Sequence, residues 1–399
     1  MKNEKATLVK FNALQVSYWW SFASMPAYIS AYLLSRGMTN TQLSLLLAVY
    51  MLFAFLGQFF WGSACDRLET NKKIFILGNL ISLGLNLFIY FFAGNLPAVF
   101  IAYPLLGFTL VPLPSNLDTW LLKCFSHRSD VYGPSRGWAS MGFALFMLFY
   151  GSLINRVGYW VMPLFATVLT LTTVAIASLQ PDAPKPEGPR VLIKIADIGK
   201  LTKIKPYLFL VVFLLFTGLA SAPINNMKIA VLQNVGGNVS HQGYDFFFMC
   251  TFQLPFFFLA GRIRRIPLKA RLVLTALLPT VMIAFNLLAV SPATVITGSV
   301  FGAVSFGILL PTTREIVGEQ VDVRLRTTAN SVTDAVYQSL SGMLSLLYVG
   351  AVMDNLGMRT VFLICLSIQV VPIALALGSL LRRSGGGGLL LSEGEAKEY

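Results

Sequence analysis

Apolar residues in this chain come in long runs, too long for the strands or half-buried helices of a soluble domain. A helix needs about 20 residues to cross the hydrocarbon of a bilayer. Twelve runs of that order can be read, at approximately 9–33, 42–64, 73–94, 97–122, 135–156, 159–179, 206–232, 242–261, 270–290, 294–318, 329–350 and 358–381. Most links between them are short. The exception, 180–205, is proline-rich at its start, carries five lysines and separates six runs from six. Its second part has the pattern of an amphipathic helix lying in the membrane interface. The expected fold is an all-α polytopic membrane protein with twelve transmembrane helices in two pseudo-symmetric six-helix halves. The halves are an N-terminal bundle over 1–179 and a C-terminal bundle over 206–381, joined by a cytoplasmic linker over 180–205 and followed by a flexible tail over 382–399.

The halves align at a nearly constant offset. Gly62 and Gly261 are 199 apart, as are Pro112 and Pro311, and as are the segments starting at Gly151 and Gly350. The sequences ASMP, ending at Pro26, and ASAP, ending at Pro223, agree at 197. Several landmarks at one offset, in the same span order, mark an internal duplication. Two parallel six-span halves place a transport site near mid-bilayer, between them.

Composition supports a membrane fold: 56% of the residues are hydrophobic and 12% charged, the latter about half the share in soluble domains. The net charge of +13 would suggest nucleic acid in a soluble chain. Here the basic residues fall in the links, so the expected partner is a lipid bilayer and not nucleic acid. They crowd one set of ends: the N-terminus, Arg67, Lys72, Lys73, Lys123, Arg128, the linker, Arg262 to Arg271, Arg324, Arg326, Arg382 and Arg383. The positive-inside bias then puts both termini in the cytoplasm of a plasma membrane. The first run lacks a cleavage signal and is read as a span. Cys65, Cys124, Cys250, Cys365, His127 and His241 show no disulfide or metal-ligand spacing, so no metal or cofactor is expected.

The loop after the second run reads GSACDRLETNKK, from Gly62 to Lys73. It resembles the loop signature of the major facilitator superfamily, with Gly62, Asp66, Arg67, Lys72 and Lys73 in place and Glu69 near the usual second glycine. The resemblance implies a cytoplasmic gate in which Asp66 receives a helix N-terminus or an arginine in one conformation only. Plain positive-inside charge is the other reading. Within the superfamily, Asp118 to Phe143 is similar to the lactose permease branch of oligosaccharide/proton symporters. That similarity implies a sugar-binding pair at Asp118 and Arg136, with Trp138 nearby and a stacking ring at Phe143, where the branch has tryptophan. The branch's proton-coupling positions in the second half fall on Met249, Ser299, Gly302 and Ser305, none of which carries a proton.

Charges inside a membrane are costly, so each one marks a candidate site. Asp118 and Arg136 lie nine residues either side of position 127, which sets them at matching depth on antiparallel helices. A structural pair holding the helices together is the alternative reading. At the repeat offset, Asn116 maps to Glu315 and the neighbour of Arg136 maps to Asp334. Asp334, Glu315 and Arg314 therefore make a second charged cluster, a candidate for ion coupling; snorkelling of Arg314 and Glu315 to the cytoplasmic surface is the alternative. Lys228, 22 residues beyond Pro206, is about 33 Å up its span at helical rise and reads as an outer-rim residue. Tyr18, Trp19, Asn225, Asn226 and Gln253 supply rings and amides suited to a hydroxylated ligand.

The expected function is a secondary active transporter: proton-coupled symport of a sugar or oligosaccharide by alternating access, with protons as co-substrate and a monomer as the family's usual state. An organic anion, nucleoside or drug is the alternative cargo. A non-transporting membrane sensor is the alternative of another class. No nucleophile motif or phosphate loop suggests an enzyme.

Overall fold

A computed structural model of the chain describes residues 2–127, 131–184, 199, 201–322 and 325–381. Most of the linker, Arg128, Arg324 and the tail from Arg382 onward lie outside the described residues.

The described residues are helical nearly throughout. The first part comprises α1 (Lys2–Ser24), α2 (Ile29–Ser35), α3 (Asn40–Leu68), α4 (Lys72–Phe91), α5 (Leu96–Leu110), α6 (Leu113–Cys124), α7 (Tyr132–Val157) and α8 (Val161–Ser178). The second comprises α9 (Lys205–Asn226), α10 (Lys228–Gln233), α11 (Val239–Phe258), α12 (Ala260–Ile263), α13 (Leu268–Leu287), α14 (Pro292–Gln320), α15 (Arg326–Asp334), a π-helical segment (Ala335–Leu340), α16 (Ser341–Leu356) and α17 (Met358–Leu381). Among the described residues, ten helical segments are long and apolar enough to cross a membrane. α1 and α11 fall outside that set. Glu4, Lys5 and Lys10 load the start of α1, and His241, Gln242, Asp245 and Gln253 lower the hydropathy of α11. Both pack within the bundle all the same, α1 on α7 and α8, α11 on α7 and α14.

Local chemistry places the breaks. Pro26 sits in the turn between α1 and α2, and Pro223 in the last turn of α9, where the helix ends. Proline removes a helical N–H and crowds the preceding turn. Thr39 opens α3 with a reciprocal capping box to Gln42. Gly158 and Gly357, 199 apart, end α7 and α16 at φ +96° and +82°, a region that favours glycine.

The same offset governs packing. A side chain at Gly151 of α7 would strike the Val239 carbonyl at 2.7 Å and lie 3.2 Å from Gly243 of α11. A side chain at Gly350 of α16 would strike the Asn40 carbonyl and the Ser44 hydroxyl of α3. All three members of the first contact, moved by 199, give the second. Small residues let helix backbones approach this closely.

Hydrogen bonds tie 2–184 to 205–381 at the end away from the basic links. There the Asp354 carboxylate accepts from the Thr41 N–H at 2.8 Å, the Thr41 hydroxyl at 2.6 Å and the Asn40 amide at 2.8 Å. Gln242 donates to the Ala27 carbonyl and Ser152 bonds Tyr244. At the basic end each part closes on itself. Asp182 caps the start of α4, accepting from the Thr70 hydroxyl and from the N–H groups of Asn71 and Lys72. Burial opposes its ionisation, but these bonds, with the Ala183 N–H, outweigh that and hold the carboxyl below its ordinary pKa.

Candidate substrate-binding site

Asp118 near the end of α6 and Arg136 near the start of α7 meet across the intervening link, with Arg136 Nη1 3.7 Å from Asp118 Oδ2. Gln15 of α1 donates to Oδ1 at 2.9 Å and the Tyr132 hydroxyl to Oδ2 at 3.2 Å. The Arg136 guanidinium lies 4.9 Å over the Trp19 ring, a cation–π arrangement. Two neutral donors thus fix the carboxylate. The arginine, 36% exposed, is held loosely between a charge and a ring face.

A second pair lies on the other part. Arg314 of α14 donates to Asp334 of α15 at 2.5 Å, and both are more than a third exposed. The helix widens to a π segment immediately after Asp334, a feature frequent at functional sites. Asp334 lines a small pocket with Thr313, Tyr337 and Gln338. At helical rise all four charges sit about 6–12 Å in from the basic ends of their helices.

Around them, polar atoms are buried without a hydrogen-bond partner: Arg136 Nη1, Arg314 Nη1, Trp19 Nε1, the Tyr18 hydroxyl, Gln15 Oε1 and Asn330 Oδ1. Unmade hydrogen bonds of this kind are costly, and the set mixes donors with acceptors. Towards the tied end the space is closed by edge-to-face rings: Trp19 on Phe143 at 5.8 Å, and Phe143 on Phe246 of α11 at 6.0 Å.

The profile of the MFS_1-like family matches residues 11–364. This chain belongs to that family. The maltose permease of Geobacillus stearothermophilus is 25% identical over 370 residues, 89% of this chain and 91% of that protein. The sucrose permease of Escherichia coli is 26% identical over 164 residues, 39% of this chain and 38% of that protein. In fold, the crystal structure of nucleoside transporter NupG matches with a TM-score of 0.78 at 14% identity, covering 94% of this chain and 100% of that one. A bacterial homologue of the human lysosomal transporter Spinster, inward-facing and unoccupied, matches at 0.73 and 13% identity, covering 94% and 96%. The MFS_1-like chain is a multi-pass membrane transporter of the major facilitator type and not an enzyme.

Several candidates of this MFS_1-like protein stand away from the paired charges. Trp138, two residues past Arg136, is turned to the far side of α7 and is 55% exposed. Asn116 exchanges hydrogen bonds with Asn71, accepting from its amide at 2.6 Å and donating to its carbonyl at 3.2 Å. Asn225 is exposed, Asn226 bonds back to the Ala222 carbonyl, and Gln253 is half-buried on α11. Glu315 is taken up by two arginines, bidentate from buried Arg271 at 2.7 and 2.9 Å and from Arg264 at 3.0 Å. That arrangement replaces simple snorkelling.

At the proposed gate, Gly62, Asp66 and Arg67 are exposed, and Asp66 has no ion pair among the described residues. Lys72 donates to the Ser178 and Gln180 carbonyls, and the Lys73 N–H to the Thr70 hydroxyl. Glu69, near the place of the family's glycine, adopts φ +51°. The backbone keeps the left-handed turn although the side chain disfavours it.

The rim position expected for Lys228 is corrected. Its side chain is 4% exposed, lies 3.7 Å from the wholly buried Asp245 and donates to the Ser299 hydroxyl at 2.7 Å. Counting helical rise failed because α9 ends at Asn226 and Lys228 begins a separate short helix. Asp245, Tyr132 and Asp182 were absent from the sequence-based candidates.

Proposed function

We propose that this protein is a proton-coupled symporter of a sugar or oligosaccharide, working by alternating access in the plasma membrane with both termini cytoplasmic. In this reading α1–α2 and α11 add two spans to the ten, giving twelve in two six-helix halves. The crossings at Gly151 and Gly350, repeated at one offset, support that division. The basic end is the cytoplasmic side, open in this reading, and Asp66 latches when it closes.

The observation that carries the reading is the set of buried donors and acceptors without hydrogen-bond partners on and near Asp118–Arg136 and Arg314–Asp334. A hydroxylated ligand both donates and accepts, and the Trp19 face suits the apolar side of a sugar ring. The maltose and sucrose permease relatives support this cargo. Asp334, with Arg314, is the group that releases the coupled proton on the cytoplasmic side. A nucleoside is the second reading, favoured by the Trp19 and Phe143 faces against which a base can stack. Titration calorimetry of the purified protein with maltose, sucrose and uridine decides between them. Binding of a sugar that is weakened at least about tenfold in Asp118→Asn supports the proposal; binding of uridine alone replaces it.

A further inference from the structure

An apolar outer face and two free cations meet at the basic end of α11. Phe248, Phe252, Pro255 and Leu259 are exposed and recur every three or four residues, which puts them on one helix face. That face is turned away from the neighbouring helices. α14 packs on the side of Gln253 and Phe256, since a side chain at Gly307 would meet the Phe256 β-carbon at 2.7 Å and the Gln253 carbonyl at 3.3 Å. α7 packs on Gly243, where a β-carbon would lie 2.5 Å from the Met147 carbonyl. In a membrane the stripe from Phe248 to Leu259 therefore lies against acyl chains.

The stripe continues past the end of α11. The N–H groups of Arg262 and Ile263 both donate to the Leu259 carbonyl, and the Arg265 N–H donates to the Arg262 carbonyl at 3.0 Å. The turn thus keeps a helical course, with Ile263 buried and Leu259, Arg262, Arg265 and Ile266 exposed. Going outward along one face, rings give way to leucine and then to two guanidiniums one turn apart. The acids nearby leave both of them free. Glu315 is occupied by Arg264 and Arg271, and Glu319, one turn further along α14, is exposed. Neither Arg262 nor Arg265 has an ion pair among the described residues. The first half lacks this surplus. At the repeat offset, Gly62 to Lys72 holds Asp66 and Glu69 beside Arg67 and Lys72, whereas Gly261 to Arg271 holds five basic residues and no acid.

We propose that Arg262 and Arg265 form a headgroup site for one anionic glycerophospholipid, whose acyl chains lie along Phe248, Phe252 and Leu259. The inference goes beyond the transport reading and holds whatever the cargo. A phosphodiester carries its charge on oxygens that guanidinium N–H groups meet in pairs, and two arginines one turn apart can hold it from both sides. Their stems run beside Leu259 and Ile266 while their heads reach the phosphate level. A zwitterionic lipid brings its own ammonium, which the two arginines repel, so the site selects a headgroup with net negative charge. The site occurs once per molecule, because Asp66 and Glu69 oppose an anion at the equivalent place in the first half.

Native mass spectrometry of the purified full chain tests this, with the protein released from micelles holding equimolar dioleoyl phosphatidylglycerol and dioleoyl phosphatidylethanolamine. The wild type should retain one phosphatidylglycerol at least about fivefold over phosphatidylethanolamine. Arg262→Gln combined with Arg265→Gln should lower that retention roughly tenfold or more, since each cation near a lipid surface is worth about fivefold. Lys203→Gln combined with Lys205→Gln, two other exposed cations at the basic end, should leave it within about twofold. All four side chains are exposed, and if a variant still fails to fold, the wild type's choice between the two lipids carries the test. Equal retention of both lipids by the wild type overturns the proposal, as does undiminished retention in the arginine variant. An equal loss in the lysine variant also overturns it, by showing a diffuse surface charge. Complete displacement of the lipid by millimolar glycerol phosphate would mark a site for a free anion and overturn it as well.

Discussion

Arg136 sits between Asp118, 3.7 Å away, and the Trp19 ring, 4.9 Å from its guanidinium carbon, and bonds closely to neither. A cation placed so can turn to a polar ligand at little cost, while Gln15 and Tyr132 keep the carboxylate fixed. In the proposed function the pair acts as a receptor and not merely as a tie between α6 and α7. Asp118→Asn should leave the protein folded and weaken sugar binding about 10- to 100-fold, the loss of one charged hydrogen bond. Calorimetric titration with maltose reads this; unchanged affinity would leave the pair a structural one.

Asp334→Asn keeps the shape beside Arg314 and removes the titratable group. Exchange of labelled sugar across vesicles should persist within about twofold, while uphill accumulation driven by a proton gradient should fall at least about tenfold. Undiminished accumulation would remove Asp334 from coupling.

The crossings at Gly151 and Gly350 leave no room for a methyl group. Gly350→Ala should cost about 1–3 kcal/mol, as overpacking does, seen as a lower unfolding temperature in detergent. Gly378→Ala, with open space around it, should change little. Equal effects of the two would argue against the close approach of α3 and α16.

Asp354 stands near the C-terminal end of its own helix, where a negative charge is disfavoured, and caps α3 of the other part instead. Asp354→Ala removes a cap worth about 1 kcal/mol and should speed maleimide labelling of a cysteine placed at Ser44, which is buried at this end. An unchanged rate would mean that the cap does not hold the end shut.

Asp182 has a folded-state pKa below the ordinary value of 3.8. The sign follows from linkage. Its contribution is fully present above that ordinary value and is lost as pH falls through the lowered, folded one. Asp182→Ala should therefore lower stability by about 1 kcal/mol at neutral pH, with the gap to wild type closing only under strongly acid conditions. Thermal unfolding across pH tests it, and a gap that closes near neutrality would contradict the assignment.

The 199-residue offset was legible because glycine and proline serve backbone geometry. Gly158 and Gly357 end helices at positive φ, and Gly151 and Gly350 sit at crossings, so the 199-residue offset survives where side chains diverge. The Asp118–Arg136 pairing was legible because equal spacing about a short link fixes depth on two antiparallel helices. Lys228 was misplaced because rise per residue predicts depth only along an unbroken helix, and the chain breaks at Met227. Asp245 went unread inside YDFFFMC, although an acid embedded in an apolar run was itself the signal. The competition of Arg271 and Arg264 for Glu315 depends on packing between α13 and α14, which spacing along the chain does not encode.

The most direct test of the account is uptake of labelled maltose into proteoliposomes holding the purified protein, with and without an imposed inward proton gradient. The account predicts accumulation that the gradient stimulates and that Asp118→Asn strongly reduces. Maltose uptake indifferent to the gradient and to Asp118, or no sugar uptake beside rapid uptake of uridine, would contradict it.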